Sequence, residues 1–145
     1  MKLLVINGPN MNMLGIREPE IYGHATYADL VRYIKDICTQ NNIQCEIFQS
    51  NHEGDIIDKI QDAYMISDAI VINPAAYSHT SIAIADAIKS VGLPAVEVHL
   101  SDITKREDFR KHSYTANVCI KTVTGKGFEG YKEAILLLKD AIDRC

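Results

Sequence analysis

A chain of 145 residues holds one domain's worth of sequence, long enough to bury a full apolar core. With 47% hydrophobic and 23% charged residues it has the balance of a soluble globular protein. Its 15 Lys and Arg against 19 Asp and Glu leave a formal charge of −4 without a basic run, which argues against a nucleic-acid or acidic-membrane surface.

Taken in order, Lys2 to Ile6 is apolar on both sides of the pleat, which predicts a strand covered on both faces. It stops at polar Asn7, and the connection that follows is much longer than is usual after a strand. That connection carries Asn10, Asn12, Arg17, Glu18 and Tyr22 among turn-forming Gly and Pro residues. A long ordered loop in this place is expected to serve a ligand. Within it Arg17 and Tyr22 form a pair with chemical purpose, since a guanidinium beside a phenol favours the phenolate. Thr26 with Asp29 predicts a helix start, and Leu30, Ile34 and Ile37 continue it at helical spacing. Cys45 to Phe48 reads as a second strand, Gln49 to Gly54 as a polar loop, and Ile56, Ile57, Ile60, Ala63 and Tyr64 as a helical stripe.

Ala69 to Ile72 is the clearest buried strand and ends in Asn73 and Pro74. A loop from Ala75 to His79 leads to a helix from about Thr80 that is apolar nearly all round, with Asp86 the exception. Such a helix is deeply buried or part of an interface. Ala95 to Val98 is the next strand, with Glu97 inside it and His99 at its end. After a charged segment from Lys105 to Lys111, Val118 to Val123 reads as the last strand, and Tyr131, Ile135, Leu138 and Ile142 stripe a C-terminal helix. The alternation predicts a single domain over residues 1–145, with an α/β, flavodoxin-like, doubly wound parallel sheet of about five strands and helices on both faces. Ligands of such sheets bind beyond the carboxyl ends of the strands, so Asn7, Asn73, Glu97 and His99 should converge on one cleft.

The first residues read as a strand rather than a signal peptide, and no apolar run approaches the roughly 18 residues of a membrane span. A cytoplasmic protein is expected, with Cys38, Cys45, Cys119 and Cys145 as reduced thiols.

Gly125 to Gly130 spells GxGxxG, but it follows the last strand and lacks the βαβ unit of a dinucleotide site, so a close-packed turn is expected. His24, His52, His79, His99 and His112 lack metalloenzyme spacing, and no metal is expected. Glu97 lies in an apolar strand, where an unpaired carboxylate is costly. His79 is its expected partner, which makes His79 a candidate acid–base group. A flavin- or nucleotide-binding module is the competing reading, although Gly8, Pro9 and Asn10 make a poor phosphate loop. Schiff-base chemistry is a further alternative, but the lysines fall mostly on polar helix faces and loops.

Several motifs together resemble the type II 3-dehydroquinate dehydratases. They are Ile6 to Asn10, Gly15 to Pro19 with Tyr22 and Gly23, Gln49 to Gly54, Ile72 to Pro74, His79 to Ser81, Val96 to His99, Arg106 to Arg110 and Gly127 to Tyr131. The match runs nearly the whole chain in the family's order. It implies dehydration of 3-dehydroquinate to 3-dehydroshikimate without metal or organic cofactor. By the resemblance, Tyr22 is the base, Arg17 holds it as phenolate, and Asn10 positions a water on the enolate. His79, oriented by Glu97, is the general acid. Asn73, His99 and Arg110 bind substrate hydroxyls, while Leu100 and Ser101 bind its carboxylate. The loop with Arg17 and Tyr22 closes as a lid. The family's trimers assemble into a homododecamer, and Asp86 reaches a neighbouring subunit's site. The chain departs from the family pattern at Ala75 (usually Gly), Ala85 (often Arg), Asp102 (commonly Asn) and Lys121 (usually Gly). None of these removes a catalytic group, so activity is expected.

Overall fold

The computed structural model describes all residues of the chain apart from the side chain of Tyr22. Five strands, β1 (Lys2–Asn7), β2 (Gln44–Gln49), β3 (Ala69–Asn73), β4 (Ala95–His99) and β5 (Lys121–Thr124), form one parallel sheet in the order β2-β1-β3-β4-β5. This is the doubly wound order that the alternating pattern predicts, and strand order reverses between β1 and β3. Successive strand residues point to opposite faces, so the inner strands β1 and β3 feed two cores. Leu3, Val5, Val71, Val96 and Val98 pack with Leu30, Ile34, Ile135 and Leu138 on one face. Leu4, Ile6, Ile70 and Ile72 pack with Ile56, Ile60, Ile84 and Ile88 on the other.

The helices are α1 (Pro19–Tyr22), α2 (Tyr27–Gln40), α3 (Glu53–Asp62), α4 (Ile82–Val91) and α5 (Glu129–Asp143). Helix α2 opens on a capping box in which Thr26 accepts from the Asp29 N–H and Asp29 accepts from the Thr26 N–H. Helix α4 starts later than Thr80: Ala75–His79 forms a 3-10 turn, and Ser81 then caps α4 through the Ile84 N–H. The last strand also starts later than expected. Thr115–Val118 is a 3-10 turn, because Ser113 Oγ accepts the Ala116 N–H and the Thr115 hydroxyl is tied to Glu97, leaving only Lys121–Thr124 in the ladder. The long first connection contains a 3-10 turn at Met11–Met13 as well as the short α1. No helix among the described residues is long and apolar enough to cross a membrane.

Candidate active site

A cleft of about 650 Å³ open to solvent has Asn73, His79, His99, Ser101, Arg17 and Arg110 in its wall. Of the four strand-end residues expected to converge there, Asn73 and His99 line it, whereas Asn7 and Glu97 are fully buried behind them. Its floor is built where the sheet order reverses. Asn7 and Asn73 are register partners on β1 and β3, and their parity turns both toward α5. There the wholly buried Tyr131 donates to Asn7 Oδ1 at 2.6 Å, and Asn73 Nδ2 donates to the Tyr131 hydroxyl at 3.0 Å. Burial raises the Tyr131 phenol well above its ordinary pKa, so it remains a neutral hydroxyl. Asn73 Oδ1 accepts the Ala75 N–H at 3.1 Å.

The two cleft histidines are held differently, and here the structure corrects the expected pairing. Glu97 does not orient His79. Its fully buried carboxylate accepts His99 Nε2 at 2.9 Å, Ser113 Oγ at 2.8 Å on the same oxygen, and the Thr115 hydroxyl on the other. The reason is the pleat: residues two apart on β4 share a face, so Glu97 and His99 lie side by side. His79 sits instead on the β3–α4 connection, where its Nδ1 donates to the His112 carbonyl at 2.7 Å. The two rings are nearly parallel, 18° apart in plane, with centroids 6.3 Å apart. One short segment, His112 to Thr115, therefore holds both histidines, His79 directly and His99 through Glu97.

Asn10 reaches the cleft with a left-handed backbone (φ 67°), and its N–H donates to Asn51 Oδ1 at 3.0 Å. Gln49 Nε2 braces the same turn through the Gly8 carbonyl and Asn51 Oδ1, both at 3.2 Å. Arg17 lines the cleft and pairs with Glu18 at 3.4 Å. Its expected partner, the Tyr22 side chain, lies outside the described residues. Leu100 and Ser101 line the opposite wall, and Arg110 pairs with Glu107 at 3.1 Å. Asp86 is exposed on α4 and does not line the cleft of its own chain. Among the described residues, no three of His, Cys, Asp and Glu form a metal-binding cluster.

Sequence reasoning missed Tyr131, read only as a helix-stripe residue, and Ser113 and Thr115, whose stretch has no periodic pattern. It also gave no role to Arg106, a half-buried third arginine in the cleft wall beside Arg17 and Arg110, 3.5 Å from Ser101 Oγ. Two of the departures, Asp102 and Lys121, fit locally. Asp102 turns its carboxylate to the N–H and hydroxyl of Thr104, which hold it below the usual aspartate range. Lys121 pairs with Glu133 at 3.4 Å.

Residues 1–139 match the family model described as "Dehydroquinase class II". The chain is 55% identical over 144 residues to the 3-dehydroquinate dehydratase of Clostridium acetobutylicum, covering 99% of this chain and 100% of that protein. It is 49% identical over 134 residues to the "Catabolic 3-dehydroquinase" of Verticillium alfalfae, covering 92% and 89% respectively. Its fold superposes on the type II dehydroquinase of Butyrivibrio crossotus with a TM-score of 0.95 at 53% identity, over 96% of this chain and 97% of that one.

Proposed function

The chain belongs to the class II dehydroquinases, and on that footing we propose how its cleft removes water from 3-dehydroquinate to give 3-dehydroshikimate. Tyr22 takes the proton from the carbon beside the ketone, with Arg17 supplying the positive charge that favours its phenolate. The electron pair moves onto the ketone oxygen as an enolate, which a water held by Asn10 stabilises. When that pair returns, a carbon–carbon double bond forms and the bond to the departing hydroxyl breaks. The hydroxyl takes a proton from the acid and leaves as water.

We assign that acid to His99 rather than to His79. The observation that carries the assignment is the buried Glu97–His99 pair. A ring that delivers a proton in a dry site needs a fixed orientation and a counter-charge when protonated, and Glu97 supplies both. Its contact occupies Nε2, which leaves Nδ1 of His99 for the cleft. His79 rests on a neutral carbonyl and binds a substrate hydroxyl together with Asn73. Arg110, Leu100 and Ser101 complete the binding wall, and the loop carrying Arg17 and Tyr22 closes over the substrate and excludes water. Trimers assembled into a homododecamer bring Asp86 to a neighbouring subunit's cleft, a reading that light scattering of the purified protein tests directly. We place the reaction in the shikimate route to aromatic amino acids.

The kinetic test follows the ultraviolet absorbance of the conjugated enone as protein meets 3-dehydroquinate. Tyr22→Phe and His99→Gln should each lower kcat by about 10²–10⁴-fold, the usual worth of a general base or acid. His79→Gln should act mainly on KM. Loss of kcat in His79→Gln with His99→Gln active would return the acid to His79. No enone from the folded wild type would discard the reading.

A further inference from the structure

One backbone group settles which way every hydrogen bond on the cleft floor runs. The Ala75 N–H can only donate, so the Asn73 atom it meets at 3.1 Å is the amide oxygen. The amide nitrogen of Asn73 then faces the Tyr131 hydroxyl at 3.0 Å and donates to it. The phenol sends its own proton to Asn7 Oδ1 at 2.6 Å, and Asn7 Nδ2 ends the chain on the Tyr27 hydroxyl at 3.4 Å. We infer that Tyr131, which touches no reacting atom, is a positioning residue: the Ala75 N–H sets which end of the Asn73 amide is oxygen, and the Tyr131 hydroxyl holds one N–H in place so that the other is aimed at substrate. This rests on the reading of Asn73 as a substrate ligand.

Among the described residues, the remaining Asn73 N–H meets Met11 Sδ at 3.6 Å, a weak acceptor that a substrate oxygen readily replaces. His79 supplies the complement. Its Nδ1 proton is held by the His112 carbonyl, so Nε2 of the neutral ring is an acceptor. A hydroxyl held between the two accepts from Asn73 and donates to His79. A ketone or ether oxygen at that place leaves Nε2 without a donor, so the pair selects for a hydroxyl.

Steady-state kinetics on 3-dehydroquinate test this with wild type, Tyr131→Phe, Asn73→Ala and the double variant, each checked for native circular dichroism and assembly size. Tyr131→Phe should raise KM roughly threefold to tenfold, the worth of one neutral hydrogen bond, and leave kcat within about twofold. Asn73→Ala should raise KM at least as far. The double variant should match Asn73→Ala alone, because Tyr131 acts through Asn73. Additive losses, or a Tyr131→Phe protein that melts earlier with an unchanged KM, would overturn the inference and leave Tyr131 a core residue. A wild-type KM in Asn73→Ala would instead remove the underlying assignment of Asn73, and an inactive wild type the reaction itself. Should Tyr131→Phe not be recovered folded, Asn73→Asp carries the test, since it keeps the shape but has no N–H. A KM raised as far as in Asn73→Ala supports a donor, and a KM near wild type overturns it.

Discussion

Gly8 is a glycine because the β1 and β3 ends meet backbone to backbone there. A Cβ at residue 8 would lie 2.5 Å from the Pro74 carbonyl oxygen, and the Gly8 N–H already donates to the Asn73 carbonyl at 2.8 Å. Gly8→Ala is expected to lower stability by about 1–3 kcal/mol through overpacking, read as a fall in thermal midpoint. Two residues downstream of Asn73, Ala75 stands in the left-handed region at φ 52°, where the family pattern usually has Gly. A side chain there costs about 1–2 kcal/mol, partly offset because Gly loses roughly 0.5–1 kcal/mol more entropy on folding. Ala75→Gly should therefore raise the thermal midpoint slightly while leaving kcat unchanged. At this scale the cleft residues were legible as polar groups at strand ends. Their pairing was legible only in part. Glu97 and His99 share a strand face by simple alternation, so the signal for that contact was present in the spacing. The partner of His79 is a backbone carbonyl 33 residues away, which no side-chain pattern announces.

Helix α2 shows how far local rules reach. Its capping box and its stripe of Leu30, Ile34 and Ile37 stand in the structure as they read in the sequence. Thr26→Ala should cost about 1 kcal/mol and can be measured as a shift in the urea midpoint. The late start of β5 marks where such rules stop. Val118 and Cys119 are as apolar as a strand, but Ser113 and Thr115 draw the preceding chain onto the Glu97 carboxylate and close a turn. A tertiary contact between polar groups outweighed the apolar pattern. The same holds for the Ala75–His79 turn, where the Ser78 hydroxyl bonds the Ala75 carbonyl at 2.8 Å and delays α4.

For the whole molecule, alternation of strands and helices was enough to foresee the doubly wound sheet, because the inner strands β1 and β3 are apolar on both sides and must be covered twice. The pH range of stability follows from its ionisable groups. Asp29, Asp102, Glu107 and Glu133 are held below their ordinary values, chiefly by hydrogen bonds from Thr26, Thr104, the Glu107 backbone and Lys126 respectively. Depressed carboxylates stabilise the fold above their unfolded values and lose that effect as pH falls through the folded ones. Burial pushes the Cys38 and Cys119 thiols and the Tyr33 phenol up to about 12. Groups raised in this way stabilise fully below their unfolded values and lose that effect as pH climbs toward the folded ones. The thermal midpoint should thus be flat between about pH 5 and 8.5, dip modestly below about pH 4 and fall more steeply above about pH 9. A midpoint that keeps rising beyond pH 10 would contradict the burial of these thiols and phenols.

The bond from Tyr131 to Asn7 joins residues 124 positions apart. As the chain leaves the ribosome, the first strand emerges early, yet the oxygen of its terminal amide waits for the last helix before it meets the Tyr131 hydroxyl. Contacts this remote in sequence form late and slow the search for the native state. A nascent or truncated chain ending before Glu129 would carry every side chain assigned to chemistry, from Asn10 to Arg110, over an unfinished floor. Competence for catalysis therefore arrives with the C-terminal helix, which contributes none of those groups.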